Sequence, residues 1–196
     1  MYGIYDNGEQ IMTFAAPMSL SSNQPYSISD SLSLKRSSVR RTAQRWELET
    51  AMVPEVDTAN LLFAHVVQKG YSTSFDVNVP QNRGAAAATI ESTTQPSASG
   101  SANSNQVNVS NSNGTIPVGC LVRMQGGTKI YMVTSTRAGN GAMSVYPALL
   151  AQTSGSFEYL DDVMMPCYYD TSTVTGMAYT DGVLMDLGTI KLIEAL

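Results

Sequence analysis

The strongest constraint on this chain is a period-two alternation of apolar and polar residues that recurs in well-separated segments. From Arg45 to Val53, Trp46, Leu48, Thr50 and Met52 share one face while Arg45, Glu47, Glu49 and Ala51 share the other. That spacing predicts a strand buried on one side, with Trp46 as a core anchor. Tyr26 to Leu34 alternates in the same way, with serines on the outer face, and reads as a half-buried strand. Tyr71 to Val79 sets Tyr71, Thr73, Phe75, Val77 and Val79 against Ser72, Ser74, Asp76 and Asn78.

Between the last two segments the period changes. Pro54 stops the strand, and Asp57 or Thr58 can cap a short helix over residues 57–69. Leu61, Leu62, Phe63 and Val66 form its apolar stripe, and Gly70 stands at the C′ position. Residues 1–84 therefore read as a β-rich domain with one helix.

Residues 85–115 are dominated by alanine, serine, asparagine, threonine and glutamine, with little bulk to offset the entropy of ordering. A flexible loop or linker is expected there. Over residues 116–152, three apolar runs are joined by turns at Gly126-Gly127 and Gly139-Asn140-Gly141. They predict a small β-meander. Residues 153–196 carry further strand signals, with a turn at Asp181-Gly182, and are expected to pack back on the N-terminal domain. The expected fold class is mainly β: sandwich- or barrel-like, α+β with one short helix, plus the small meander.

Composition narrows the function. Charged residues are 14% of the 196, against roughly 25% in an average soluble domain. The polar surface is thus built from hydroxyls and amides, and 15 glycines and 8 prolines supply turns, which argues against a helical bundle. A net charge of −5 and a pI of about 4.7 offer no basic field for nucleic acid or an anionic membrane. No apolar run is long enough for a membrane span, and the acidic start predicts a protein that is not exported. Cys120 and Cys167 lack metal-ligand spacing and read as two buried thiols.

Motifs for chemistry are sparse. His65 is the only histidine, so any nucleophilic triad would have to use it as base, and nothing beside it in sequence singles out a nucleophile. Gly126-Gly127-Thr128-Lys129 lacks the spacing of a phosphate loop and reads as a turn. Glu158, Asp161 and Asp162 lack the pattern of a calcium loop and read as a solvated acidic loop. Asn108-Val-Ser and Asn113-Gly-Thr are sequons in a polar segment. No catalytic residue, metal site or cofactor is expected.

Charge is sorted along the chain. Lys35, Arg36, Arg40, Arg41 and Arg45 hold five of the 11 basic residues, whereas Glu158, Asp161, Asp162, Asp170, Asp181, Asp186 and Glu194 crowd the last quarter. Two readings stand. The basic edge of one subunit meets the acidic edge of the next, with Arg36, Arg40, Arg41, Asp161, Asp162 and Asp170 at the interface, or the charges pair within one subunit.

Gln44-Arg-Trp-Glu-Leu-Glu-Thr, followed by a proline, a capped helix and an extended segment, resembles structural proteins of tailed-bacteriophage tails, notably distal tail and baseplate ring proteins. Val118-Gly-Cys-Leu-Val-Arg-Met, Lys129-Ile-Tyr-Met-Val-Thr and Met143-Ser-Val-Tyr-Pro-Ala-Leu resemble β segments of such proteins. The resemblance implies a non-enzymatic virion component, assembled in the host bacterial cytoplasm. Its implied partners are copies of itself in a ring, of sixfold order, and other tail or baseplate proteins. The 11 methionines suit adaptable contacts as well as core filling. Two alternatives come from other classes: a carbohydrate- or receptor-binding module using an exposed platform of Tyr168, Tyr169 and Asp170, and a hydrolase using His65.

Overall fold

The computed structural model describes residues 2–33, 35–40, 43–52, 56–79, 81, 96–159, 163–171, 178–180, 184–186 and 189–196. The elements in chain order begin with β1 (Gly3–Asp6), β2 (Glu9–Asn23), β3 (Tyr26–Asp30), β4 (Arg36–Arg40), β5 (Arg45–Met52), α1 (Val56–Lys69) and β6 (Phe75–Asn78). There follow β7 (Ser97–Gly100), β8 (Gln106–Ser110), β9 (Thr115–Ile116), β10 (Leu121–Met124), β11 (Ile130–Val133), β12 (Arg137–Ala138), β13 (Gly141–Tyr146) and β14 (Thr153–Tyr159). The last are β15 (Met164–Tyr169), β16 (Ala178–Thr180), β17 (Leu184–Asp186) and β18 (Thr189–Glu194).

The fold is mainly β, with one short helix. Two closed barrels form: the first in the order β1-β2-β5-β18-β15-β6, the second in the order β10-β11-β13-β8-β7-β14. Closure removes the exposed strand edges that open sheets must otherwise protect. The second barrel is an insertion in the first, because all six of its strands lie between β6 and β15.

Alternation decides what each barrel encloses. In the first, Ile4, Met12, Phe14, Trp46, Leu48, Val77, Met165, Cys167, Ile190 and Leu192 point inward. Thr50 is buried and Glu49 exposed, as the Arg45 to Val53 pattern requires. The outward Glu47 is buried too, because Asn23, Arg45 and Lys191 gather on its carboxylate. Val107, Val109, Val122, Val133, Met143, Val145 and Phe157 fill the second barrel. Both cysteines are buried and unpaired.

Helix α1 closes on the first barrel through Leu62, His65 and Val66, and Gly70 ends it at φ 60° with its N–H on the Val66 carbonyl at 2.8 Å. The helix starts at Val56, so Asp57 and Thr58 lie in its first turn rather than capping it from outside. Leu61 and Phe63, expected in the buried stripe, face solvent.

Four further expectations need correction. Residues 96–115, assigned to a flexible linker, hold β7, β8 and the start of β9, the first two being staves of the second barrel; residues 85–95 lie outside the described residues. At Gly100 this wall is tight, since an added Cβ would come within 2.6 Å of the Leu149 side chain. The meander is half of a larger barrel, which also takes β14 from the segment expected to return to the N-terminal domain. Strand β6 starts at Phe75, leaving Tyr71 and Thr73 exposed. The Tyr26 to Leu34 segment is not half-buried: among the described residues its strand β3 pairs only with β4, and all of Tyr26–Asp30 is exposed.

Candidate assembly surface

Strands β3 and β4 make a two-stranded ribbon that belongs to neither barrel. Register pairs Tyr26 with Arg40, Ile28 with Ser38 and Asp30 with Arg36, alternating with Ser27 opposite Val39 and Ser29 opposite Ser37. Directly opposed residues share a face of a ribbon. One face therefore carries Tyr26, Ile28 and the charged positions, and the other carries three serines and Val39. Tyr26 and Val39 are about two-thirds exposed, and Leu32 in the connecting turn is fully so. An isolated two-stranded hairpin is marginal in water, so this arm displays apolar surface that its own barrels do not cover.

At the root of the arm lies a pocket of about 350 Å³ lined by Asn23, Pro25, Ala43, Gln44, Arg45 and Leu196. Gln44 is buried, and its amide nitrogen donates to the Ser22 hydroxyl at 3.0 Å. Its Oε1 is buried without a hydrogen-bond partner, a condition that costs about 1–3 kcal/mol when nothing donates to the atom.

Behind that pocket the two barrels are joined by a buried polar centre. Glu194 of β18 accepts from the Trp46 N–H at 3.0 Å and the Ile130 N–H at 2.9 Å, and pairs with Lys129. The Lys129 ammonium also donates to the Gln44 carbonyl at 2.8 Å. Burial pushes the Lys129 pKa down, while the hydrogen bond and charge of Glu194 oppose the shift. The Trp46 indole N–H reaches the Ile130 carbonyl at 3.0 Å, and its ring meets Tyr146 edge-on at 6.2 Å between centroids. Gln81 adds a reciprocal pair with the Leu121 backbone. Trp46 is thus a core anchor and also part of the seam.

The charged residues expected at an interface are distributed unevenly. Arg36 is exposed and paired with Asp30 at 3.0 Å. Arg40 ends β4, while Arg41, Asp161 and Asp162 lie outside the described residues. Asp170 is half-buried and faces Lys191 at 3.7 Å. Arg45 pairs with Glu47, Arg123 with Glu158 and Lys129 with Glu194. Charges at these positions, the arm's Arg36 among them, are therefore matched within the subunit.

The platform of Tyr168, Tyr169 and Asp170 is not formed. Strand alternation turns Tyr169 into the first barrel, where it is 2% exposed, and only Tyr168 faces outward. The Tyr169 hydroxyl meets His65 Nδ1 at 2.7 Å, and its ring packs on Phe75. Burial raises the Tyr169 pKa, so the hydroxyl keeps its proton, and the imidazole tautomer sets which of the two groups donates in the bond to Nδ1. His65 Nε2 is buried without a hydrogen-bond partner, 3.8 Å from Asp6, which Lys69 holds at 2.8 Å. No local spacing in the sequence marks this long-range cluster, which joins residues 104 positions apart.

The cluster does predict an acid response. Burial holds the His65 pKa below 6.5, Asp6 pulls it up and Lys69 pushes it down. The unfolded chain then takes up a proton near pH 6.5 that the folded chain resists, so stability falls as pH drops below about 6.5. At lower pH two carboxylates continue the loss. Asp6 is lowered chiefly by the Lys69 hydrogen bond; Glu47 is raised by burial but lowered more by its bonds to Lys191, Asn23 and Arg45. Urea midpoints are expected to fall between pH 7 and pH 5, and again below about pH 4.5. A His65→Gln variant should lose the first stage and keep the second.

Among the described residues no three His, Cys, Asp or Glu side chains gather as a metal-binding group, and no helix is long and apolar enough to cross a membrane. Compared with known protein families and with curated proteins, the chain matches none.

Proposed function

We propose that this chain is a non-enzymatic structural subunit of a bacteriophage virion, in a tail or baseplate ring or adaptor that joins the tail tube to baseplate or fibre proteins. Copies of the chain associate head to tail, in a ring of sixfold order assembled in the host cytoplasm. The observation that carries this reading is the β3–β4 arm, whose Tyr26, Ile28, Leu32 and Val39 are exposed and which stands outside both barrels. Surface of that kind is characteristic of a contact made with another chain. Two closed barrels, joined through a buried ion pair, give such an arm a firm base. The resemblance of the Gln44 to Thr50 segment and of the meander strands to phage tail proteins supplies the class of assembly.

Light scattering and negative-stain microscopy of the full chain test the proposal: discrete rings are the expected result, and a monomer at every concentration overturns it. Replacing Tyr26 and Ile28 by serine should weaken assembly while leaving the thermal transition in place, because neither side chain is packed. Reversing Arg40 and Arg41 to glutamate should weaken it more at low than at high salt.

A further inference from the structure

We propose that the arms join copies of this chain edge to edge, with β4 of one copy pairing antiparallel to β3 of the next. The inference rests on the assembly reading above and names the contact that makes the ring. Both outer edges of the arm are open. The Ser31 N–H bonds the Lys35 carbonyl at 3.1 Å, and antiparallel ladders alternate bonded and non-bonded pairs. Continued along the register, Ser29–Ser37 and Ser27–Val39 are the pairs bonded within the arm. The backbone groups of Tyr26, Ile28 and Asp30 therefore point to one outer edge, and those of Arg36, Ser38 and Arg40 to the other. Among the described residues no third strand meets either edge.

A two-stranded ribbon is marginal in water, and added strands are what stabilise it. The barrels of its own copy supply none, since β3 and β4 form a sheet by themselves and Tyr26–Asp30 is exposed throughout. A strand from another copy meets that need, and it gives the outward N–H and C=O groups of both edges their partners.

Two arms can meet edge to edge in three ways, and charge separates them. Centred on Ser38, β4 against β4 sets Arg36 opposite Arg40 at both ends, a pairing of like charges. Centred on Ile28, β3 against β3 sets Tyr26 opposite Asp30 and brings no cation opposite a carboxylate. Only β4 against β3 can repeat between copies the register found inside the arm, with Arg36 opposite Asp30, Ser38 opposite Ile28 and Arg40 opposite Tyr26. Within one arm Arg36 reaches both Asp30 oxygens, at 3.0 and 3.4 Å. Both side chains remain more than half exposed, so each keeps a side open to a second partner. Across copies the row then alternates carboxylate and guanidinium. The giving and receiving edges are different strands, so each copy offers one and accepts the other, a heterologous contact that closes into a ring when the rotation permits.

Single cysteines test this in the full chain, since both native thiols are buried. Ile28 and Ser38 are exposed, so neither replacement disturbs a core. Opposed residues of a hydrogen-bonded pair lie about 5.5 Å apart between Cα atoms, within the span of a disulfide. Ile28→Cys and Ser38→Cys, one of them carrying a mass tag, are co-expressed and mildly oxidised. A mixed dimer on non-reducing gels, in excess over either homodimer, is the expected result. Predominant Ile28→Cys homodimers indicate β3 against β3, and predominant Ser38→Cys homodimers indicate β4 against β4; either overturns the proposed pairing. Rings in negative-stain microscopy without any linked species overturn the pairing and leave the ring reading standing, whereas a monomer at every concentration overturns both. As a second measurement, Ser38→Pro removes an outward N–H that the arm itself does not use, the setting in which an edge strand tolerates proline. Association should weaken roughly tenfold or more, with an unchanged thermal transition of the barrels; unchanged association overturns the proposal.

Discussion

Replacing Lys129 by methionine is expected to destabilise the protein by about 3–5 kcal/mol, the usual cost of removing one partner of a buried ion pair. Side chains of both partners are almost fully enclosed, at 3% exposure for Lys129 and 0% for Glu194. The substitution leaves the Glu194 carboxylate in the seam without its cation and the Gln44 carbonyl without its donor. For a chain of this length the melting temperature should fall by on the order of 10 °C, measured by circular dichroism. Adding Glu194→Gln should restore part of the loss, since it removes the unpaired charge. Full recovery is not expected, because the carboxylate accepts from both the Trp46 and the Ile130 N–H and the amide has one acceptor oxygen. An unchanged melting temperature in Lys129→Met would show that the seam is not held by this pair.

Trp46→Ala should be comparably severe, at about 3–5 kcal/mol for a large core side chain that leaves a cavity. Trp46 is 3% exposed, packs in the first barrel and bonds the Ile130 carbonyl in the second. Trp46→Phe separates the two roles. It keeps most of the apolar body and loses the indole donor, so about 1–2 kcal/mol is expected from the stranded carbonyl. Urea unfolding midpoints of the three proteins measure both steps. Because the Trp46 backbone also feeds Glu194, the Trp46→Phe and Lys129→Met losses should not add.

How much of this was legible in the sequence depends on how local the signal was. The Arg45 to Val53 alternation correctly placed Trp46, Leu48 and Thr50 inside and Glu49 outside, because strand period is a property of consecutive residues. Gly70 and the glycine turns of the meander were legible for the same reason: a positive φ at Gly70, Gly126, Gly139 and Gly141 is a local demand. Composition misled where it replaced pattern. Gln106-Val-Asn-Val-Ser alternates cleanly, with Val107 and Val109 buried, yet the surrounding serines and asparagines suggested a linker. Strands β1 and β2 went unread because the approach to the barrel is irregular, with register shifts at Ile4/Tyr5 and at Ala15/Met18, where Pro17 cannot donate to the ladder.

The functional features divide along the same line. Sequence alone determined that the chain is β-rich, sparsely charged and sorted by charge sign, since these follow from composition and from neighbours one or two residues apart. Tertiary structure decided which alternating strand is enclosed and which stands out. Tyr26 to Asp30 and Arg45 to Met52 alternate alike, yet only the second finds partners on both sides, β2 and β18. It also decided that Lys129 meets Glu194, and His65 meets Tyr169, across 65 and 104 positions of chain. Such meetings depend on where barrel closure brings distant strands, and no local pattern encodes that.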